Sequence, residues 1–141
     1  REGCREYSSE GERTLRMRPL REGAPVRVAK SRSHPSPRLE ALLKPLPSAE
    51  TIERGSALKF CALAAGDADF YPRFGPTWEW DTAAGQAIVT AAGGVMVDFE
   101  GRPFTYNKPN LLNGPFLAAP TMEWLEATHM FETAQKLTGS R

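Results

Sequence analysis

A chain of 141 residues, 40% apolar and 25% charged, with a formal net charge of +1, fits one ordinary domain or part of a larger one. That apolar fraction excludes a wholly disordered chain, and no apolar run reaches the roughly 18 residues that cross a bilayer as a helix. Residues 1–24 are charged and lack the apolar core of a secretory signal, and two cysteines, Cys4 and Cys61, are too few for a disulfide scaffold or a zinc site.

The near-neutral total hides an asymmetry. Residues 1–59 carry 13 Lys+Arg against 8 Asp+Glu, and residues 60–141 carry 5 against 9. Such a split suits an anionic ligand meeting a cation-binding carboxylate, or simply a terminal segment rich in surface arginine.

Residues 1–12 are polar without an apolar period and read as a loop or a ragged edge. Residues 14–18 alternate Leu15 and Met17 with polar neighbours, as a short strand does, and 26–29 follow Pro25 as a second strand. In the serine- and proline-rich stretch 31–37, Ser36 can cap a helix and Pro37 suits its first position. Leu39, Leu42 and Leu43 give that helix an apolar face before Pro45. Ser56 is the next candidate cap, and Leu58, Cys61, Ala62 and Ala65 recur at helical spacing until Gly66. Residues 67–73 alternate like a strand and Gly75-Pro76 breaks it. Asp81 then opens a helix whose Ala84, Ala87, Ile88, Ala91 and Ala92 share one face. Because Ala83 and Val89 are apolar as well, it reads as buried on more than one side. Gly93-Gly94 closes it. Residues 95–98 and 104–106 flank Glu100-Gly101 as a hairpin or tight connection. Residues 116–119 make a last strand, and 121–137 place Ala127, Met130, Phe131, Ala134 and Leu137 on one helical face. Helices interleaved with short strands indicate an α/β layered fold.

Few residues carry chemistry. Lys59 falls in the first turn of its helix, where a cation opposes the dipole unless an anion sits nearby; the alternative is a lysine that snorkels to solvent. Gly55 before it would let a ligand approach the backbone. Asp81 suffices as an N-cap, yet among tryptophans and alanines it would be partly buried and would suit a hard cation such as Mg²⁺. Arg73 can pair with phosphate or with Asp69. His34 lies in the serine-rich loop, where it can bond a ligand or cap a turn. His129 reads as surface, Cys61 as core, and Trp78, Trp80 and Trp124 as packing groups. Phosphate-loop, dinucleotide, nucleophile-elbow and zincin motifs are absent.

Three blocks carry a resemblance. Residues 55–61 (GSALKFC), 68–77 (ADFYPRFGPT) and 80–85 (WDTAAG) are similar to the second half of 3'(2'),5'-bisphosphate nucleotidases of the CysQ type, within the lithium-sensitive, metal-dependent inositol monophosphatase-like family. Residues 31–34 (SRSH), Gly93-Gly94, Asp98-x-x-Gly101 and the Asn107 to Asn113 stretch fit as well, so the likeness covers about 13–119. It implies a layered αβαβα sugar-phosphatase-like fold, C-terminal half only, with a mixed sheet flanked by helices. Residues 1–12 would be a ragged segment and 120–141 a helical extension.

The implied activity is removal of the 3'-phosphate from 3'-phosphoadenosine 5'-phosphate, giving AMP and phosphate, in the cytoplasm or at the inner face of the cell membrane. An inositol or sugar monophosphatase, or a non-catalytic nucleotide-binding fragment, are the alternatives. By resemblance Asp81 would ligate catalytic Mg²⁺, of which the complete enzyme holds two or more. Ser31, His34, Gly55, Ser56, Lys59, Arg73 and Asp81 would line the substrate site. The partner is a small-molecule nucleotide bisphosphate, not a nucleic acid. The family's upstream glutamate motif and its D-P-[IL]-D-G-T motif are not in these residues, and neither Glu10-Gly11-Glu12 nor Asp67-Ala68-Asp69 replaces them. The expectation is a part that needs the missing N-terminal half for activity.

Overall fold

A computed structural model describes residues 3–21, 23–31, 36–55 and 57–139. In chain order the elements are β1 (Cys4–Ser8), β2 (Gly11–Leu15), β3 (Val26–Lys30), α1 (Pro37–Leu43), β4 (Ala49–Glu53), α2 (Leu58–Ala65), β5 (Tyr71–Arg73), β6 (Thr77–Trp78) and α3 (Glu79–Ala91). Then come β7 (Val95–Val97), β8 (Leu112–Asn113), β9 (Phe116–Ala119), α4 (Met122–Ala127) and α5 (Met130–Gly139).

Period-two alternation organises the middle layer. In β9, Phe116 and Ala118 enter one hydrophobic cluster while Leu117 and Ala119 enter another on the opposite face. β5 and β7 flank β9, both antiparallel. β3 runs parallel to β4 and reaches β5 through a parallel bridge, Val28 to Phe70, with Ala29 N donating to Phe70 O at 2.8 Å. The strands therefore follow the order β4-β3-β5-β9-β7, a mixed sheet. Phe60 and Leu63 of α2 and Val89 of α3 cover one face; Leu42 of α1, Leu125 of α4 and Met130 of α5 cover the other. The sheet flanked by helices is the architecture expected, and Ser36 caps α1 as read, accepting from Leu39 N.

Several local expectations are corrected. The stretch expected as a loop at 1–12 contains the β1–β2 hairpin, whose side chains are almost all exposed. It is tied by the ladder and by cross-strand pairs Arg5–Glu12 and Arg13–Glu6, so no buried face exists to leave an apolar period. β4 went unread for the same reason. The buried face of α2 is Lys59, Phe60, Ala62, Leu63 and Ala64, while Leu58 and Cys61 are exposed. Helix α3 begins two residues before Asp81 and buries Glu79, Thr82, Gly85 and Val89; Ala83, Ala84 and Ala87 are exposed. The stretch 104–106 forms no strand, and only Pro103 bridges Val97. The C-terminal helix is two, α4 and α5, broken at His129, whose φ is 58°. Ala127 is exposed, but Met130 and Ala134 are fully buried, and Gln135 donates to Phe99 O at 2.7 Å, so this segment packs on the body.

One contact sets the spacing of α2 and α3. A Cβ built on Gly85 would stand 2.2 Å from the Phe60 ring, which is itself held between Tyr71 and Phe116 with centroids at 5.2 and 5.9 Å. The ring cannot retreat, because both neighbours are buried. Helix propensity alone favours Gly85→Ala by about 1 kcal/mol, whereas overpacking costs about 1–3 kcal/mol, so the two effects oppose. We expect net destabilisation in urea melts, with exposed Ala84→Gly losing no more than about 1 kcal/mol. A Gly85→Ala chain as stable as the parent would contradict this packing.

Candidate active site

The two helix starts and β5 converge on one cavity of about 210 Å³, whose polar lining is Lys59, Tyr71, Arg73, Thr77, Asp81 and Thr82. Lys59 sits at the second position of α2, only 2% exposed, so it does not snorkel. Its Nζ donates to Ser31 Oγ at 3.1 Å and to Arg54 O at 3.2 Å, and lies 5.5 Å from the Tyr71 ring centre. Burial, and then the Arg73 guanidinium, hold its pKa below the ordinary lysine range. Burial also raises the Tyr71 hydroxyl above its usual value, against the opposing pull of Arg73.

Of the two partners open to Arg73, Asp69 is excluded. The Asp69 carboxylate is fully buried and taken by Arg18, with Nη2 at 2.8 Å, and by the Arg27 backbone and guanidinium. Besides the Tyr71 hydroxyl, Arg73 has one long contact, Nη2 to Pro76 O at 3.4 Å, and its buried Nε has no partner among the described residues. An orphaned buried donor on a cavity wall is costly unless something accepts from it.

Asp81 is not the N-cap but the third residue of α3, where its Oδ2 accepts from Trp78 N at 2.9 Å. It is exposed, against expectation, and its other oxygen takes no hydrogen bond among the described residues. The aromatic neighbours do not enclose it. Trp78 and Trp80 stand 43% and 67% exposed, stacked on each other at 5.0 Å and 5°. Only Trp124 is a buried packing group. Gly55 is exposed at the approach to α2, where a side chain would meet nothing within 4 Å, so no close contact explains the glycine. His34 and Ser56 lie outside the described residues. The structure thus brings Ser31, Lys59, Arg73 and Asp81 together. Among the described residues, no group of three His, Cys, Asp or Glu side chains is placed to hold a metal.

Sequence reasoning missed the clamp behind α3. Glu79 accepts from Asn107 N at 2.8 Å and from Lys108 N and Nζ, so the Lys108 ammonium and these amides hold its carboxyl below the usual range. Lys108 Nζ also donates to Asn113 Oδ1. The Asn113 amide donates to Thr77 and Thr82, both on the cavity wall. The only sequence sign was the Asn107 to Asn113 stretch. A larger cavity, about 470 Å³, lies by Asp98 and Pro103, but its one cation, Lys108, is already engaged with Glu79.

The inositol monophosphatase family model matches residues 9–137. The chain belongs to the inositol monophosphatase family. The match runs past residue 119 and takes in α4 and most of α5. Among curated relatives, the 3'(2'),5'-bisphosphate nucleotidase CysQ of Escherichia coli K12 is 45% identical over 98 residues, 69% of this chain and 40% of that protein. The Buchnera aphidicola CysQ is 43% identical over 99 residues. CysQ of Bacteroides thetaiotaomicron superposes with a TM-score of 0.67 at 40% identity, over 79% of this chain and 42% of that one. SuhB of Mycobacterium tuberculosis, with a TM-score of 0.66 at 22% identity, shares the fold. The chain spans about two fifths of the length of these CysQ proteins.

The lowered Lys59 pKa fixes a sign. The unfolded chain binds more protons than the native one between the lowered value and the ordinary one, so stability rises with pH across that window. Urea melts from neutral pH into the ordinary lysine range should show the parent gaining on Lys59→Met as pH rises. A pH-independent gap between the two would refute the buried-lysine assignment.

Proposed function

We propose that these residues form the phosphate-facing wall of a Mg²⁺-dependent, cytoplasmic phosphatase that hydrolyses the 3'-phosphate of 3'-phosphoadenosine 5'-phosphate to AMP and phosphate. The observation that carries the reading is a pair of cations, Lys59 and Arg73, lining one cavity with Asp81, the Arg73 Nε being buried and without a partner among the described residues. Phosphate oxygens supply the acceptor that the Arg73 Nε lacks, and their charge opposes the burial and the Arg73 repulsion that lower Lys59. The CysQ relatives point to the bisphosphate nucleotide as the source of those oxygens.

In this reading Lys59, anchored by Ser31, and Arg73 bind and orient a phosphate, and Thr77 and Thr82 keep the start of α3 in place through Asn113. The carboxylate oxygen of Asp81 that takes no hydrogen bond is a hard donor and fits Mg²⁺ as one ligand. A bound Mg²⁺ supplies charge neutralisation at the oxygen that leaves phosphorus. One carboxylate is not a complete Mg²⁺ shell, and among the described residues no group of three His, Cys, Asp or Glu side chains completes it. Hydrolysis breaks the ester P–O bond, with water giving its hydroxide to phosphorus and its proton to the departing 3'-oxygen.

Two measurements test this. Equilibrium dialysis of the bisphosphate nucleotide should show Lys59→Ala and Arg73→Ala each weakening binding by about tenfold or more, the usual loss for a hydrogen bond to a charged group; unchanged affinity would remove them from the site. Phosphate release by the 141-residue chain with Mg²⁺ should be negligible. Robust turnover would overturn the expectation that activity needs groups outside these 141 residues.

A further inference from the structure

The buried network behind α3 has a fixed direction of hydrogen bonding, and that direction reaches the cavity. Lys108 Nζ carries three hydrogens and no lone pair. It donates to Glu79 Oε2, to the Thr105 carbonyl and to Asn113 Oδ1, the last two at 3.1 Å. An ammonium can face only the oxygen of the Asn113 amide, so the Nδ2 end is turned to the other side. Its two hydrogens go one to each threonine, Thr77 Oγ1 at 3.2 Å and Thr82 Oγ1 at 2.9 Å. Both hydroxyl oxygens are therefore acceptors, and the hydrogen of each is left to be donated elsewhere. Thr82 has a second protein partner, the Tyr106 hydroxyl at 3.3 Å. Thr77 has no second partner among the described residues, although it is buried, and it lines the cavity with Lys59, Arg73 and Asp81. The β6–β8 ladder holds Thr77 and Asn113 directly opposite each other, so their bond is set by the backbone register. A buried hydroxyl hydrogen without an acceptor is costly.

We propose that Thr77 is a ligand-binding residue whose hydroxyl, made a donor by Asn113, gives its hydrogen bond to a phosphate oxygen in the cavity. This rests on the phosphate reading of Lys59 and Arg73. A hydroxyl free to act either way serves an acceptor and a donor alike; Asn113 leaves Thr77 only the donating role, which suits the ionised oxygens of a phosphate. A neutral donor also adds a contact to the anion without a third positive charge beside Lys59 and Arg73. Asn113 and Lys108 do not line this cavity and are positioning residues that act through Thr77.

The test is calorimetric titration of inorganic phosphate into the parent chain, Thr77→Val, Thr77→Ser, Asn113→Asp and the double variant Thr77→Val/Asn113→Asp, with circular dichroism to confirm that each folds. Thr77→Val should weaken binding about tenfold, the usual loss for a hydrogen bond to a charged group, and Thr77→Ser should restore it. Asn113→Asp presents an acceptor where the amide donated, so Thr77 turns its hydrogen back towards position 113. Binding should weaken, and adding Thr77→Val should then cost nothing more. The cycle separates this reversal from the added negative charge, which acts whether or not Thr77 has a hydroxyl. Should Asn113→Asp fail to fold, Thr77→Ala against Thr77→Ser decides. Parent-like binding by Thr77→Val, no rescue by Thr77→Ser, or an equal loss from Thr77→Val in both backgrounds would overturn the proposal while leaving the two cations in place. Binding weakened by Thr77→Val but untouched by Lys59→Ala and Arg73→Ala would keep Thr77 as the donor and refute the cation reading instead. Absence of phosphate binding by the folded parent would overturn both.

Discussion

The contact between Gly85 and the Phe60 ring fixes where everything else at the site can be. With no Cβ at 85, α3 approaches α2 until the ring fills the space, and the ring is in turn wedged between Tyr71 and Phe116 on the sheet. Two helices held this close bring their starts to one cavity, so Lys59 and Asp81, 22 positions apart in sequence, share a wall. The final glycine of the W-D-T-A-A-G block thus has a steric reason in this chain. It lets a helix pass over an aromatic ring, and the aspartate four residues earlier arrives at the right place because of it.

Other parts of the chain hold that arrangement against its own electrostatics. Burial first, and then the neighbouring Arg73 guanidinium, disfavour the charged form of Lys59 on this small cavity. Ser31 and the Arg54 carbonyl hold the ammonium in place despite it. Asp69 neutralises Arg18 and Arg27 behind the sheet and so is unavailable to Arg73. The Asn107 to Asn113 stretch acts from the far end of the sequence: Lys108 braces Glu79 at the first residue of α3, and Asn113 bonds the two threonines on the cavity wall. Packing brings the site together, and buried polar pairs then keep its side chains from neutralising each other.

Much of this was legible in the sequence where one face of an element is buried and the other is not. Strand β3, helix α1 with its Ser36 cap, strand β9 and the Gly66 stop after α2 all follow from that contrast. Elements without it escaped: β1, the first three residues of β2 and β4 expose nearly every side chain, whereas the strand read at 14–18 overlaps β2 only at Thr14 and Leu15. The facing of α2 and α3 was misread because hydropathy scores alanine and leucine as interior and cannot credit Lys59, Thr82 or Gly85 as core positions. Arg73 offered a choice between Asp69 and phosphate, and only the geometry of Arg18 and Arg27 removes the first. The tryptophans were read as packing groups from their type, and Trp78 and Trp80 proved exposed.

The central claim is that the starts of α2 and α3, with Arg73, form a single anion site. The most direct measurement is a titration of the ¹⁵N-labelled chain with AMP, followed through its amide and arginine Nε–H resonances. The account predicts saturable shifts confined to the amides of 58–60 and 77–82 and to Arg73 Nε–H, the last moving furthest as its missing acceptor arrives. Shifts centred instead on 98–105 and 112–115, around the larger cavity, with Arg73 Nε–H unmoved, would contradict it.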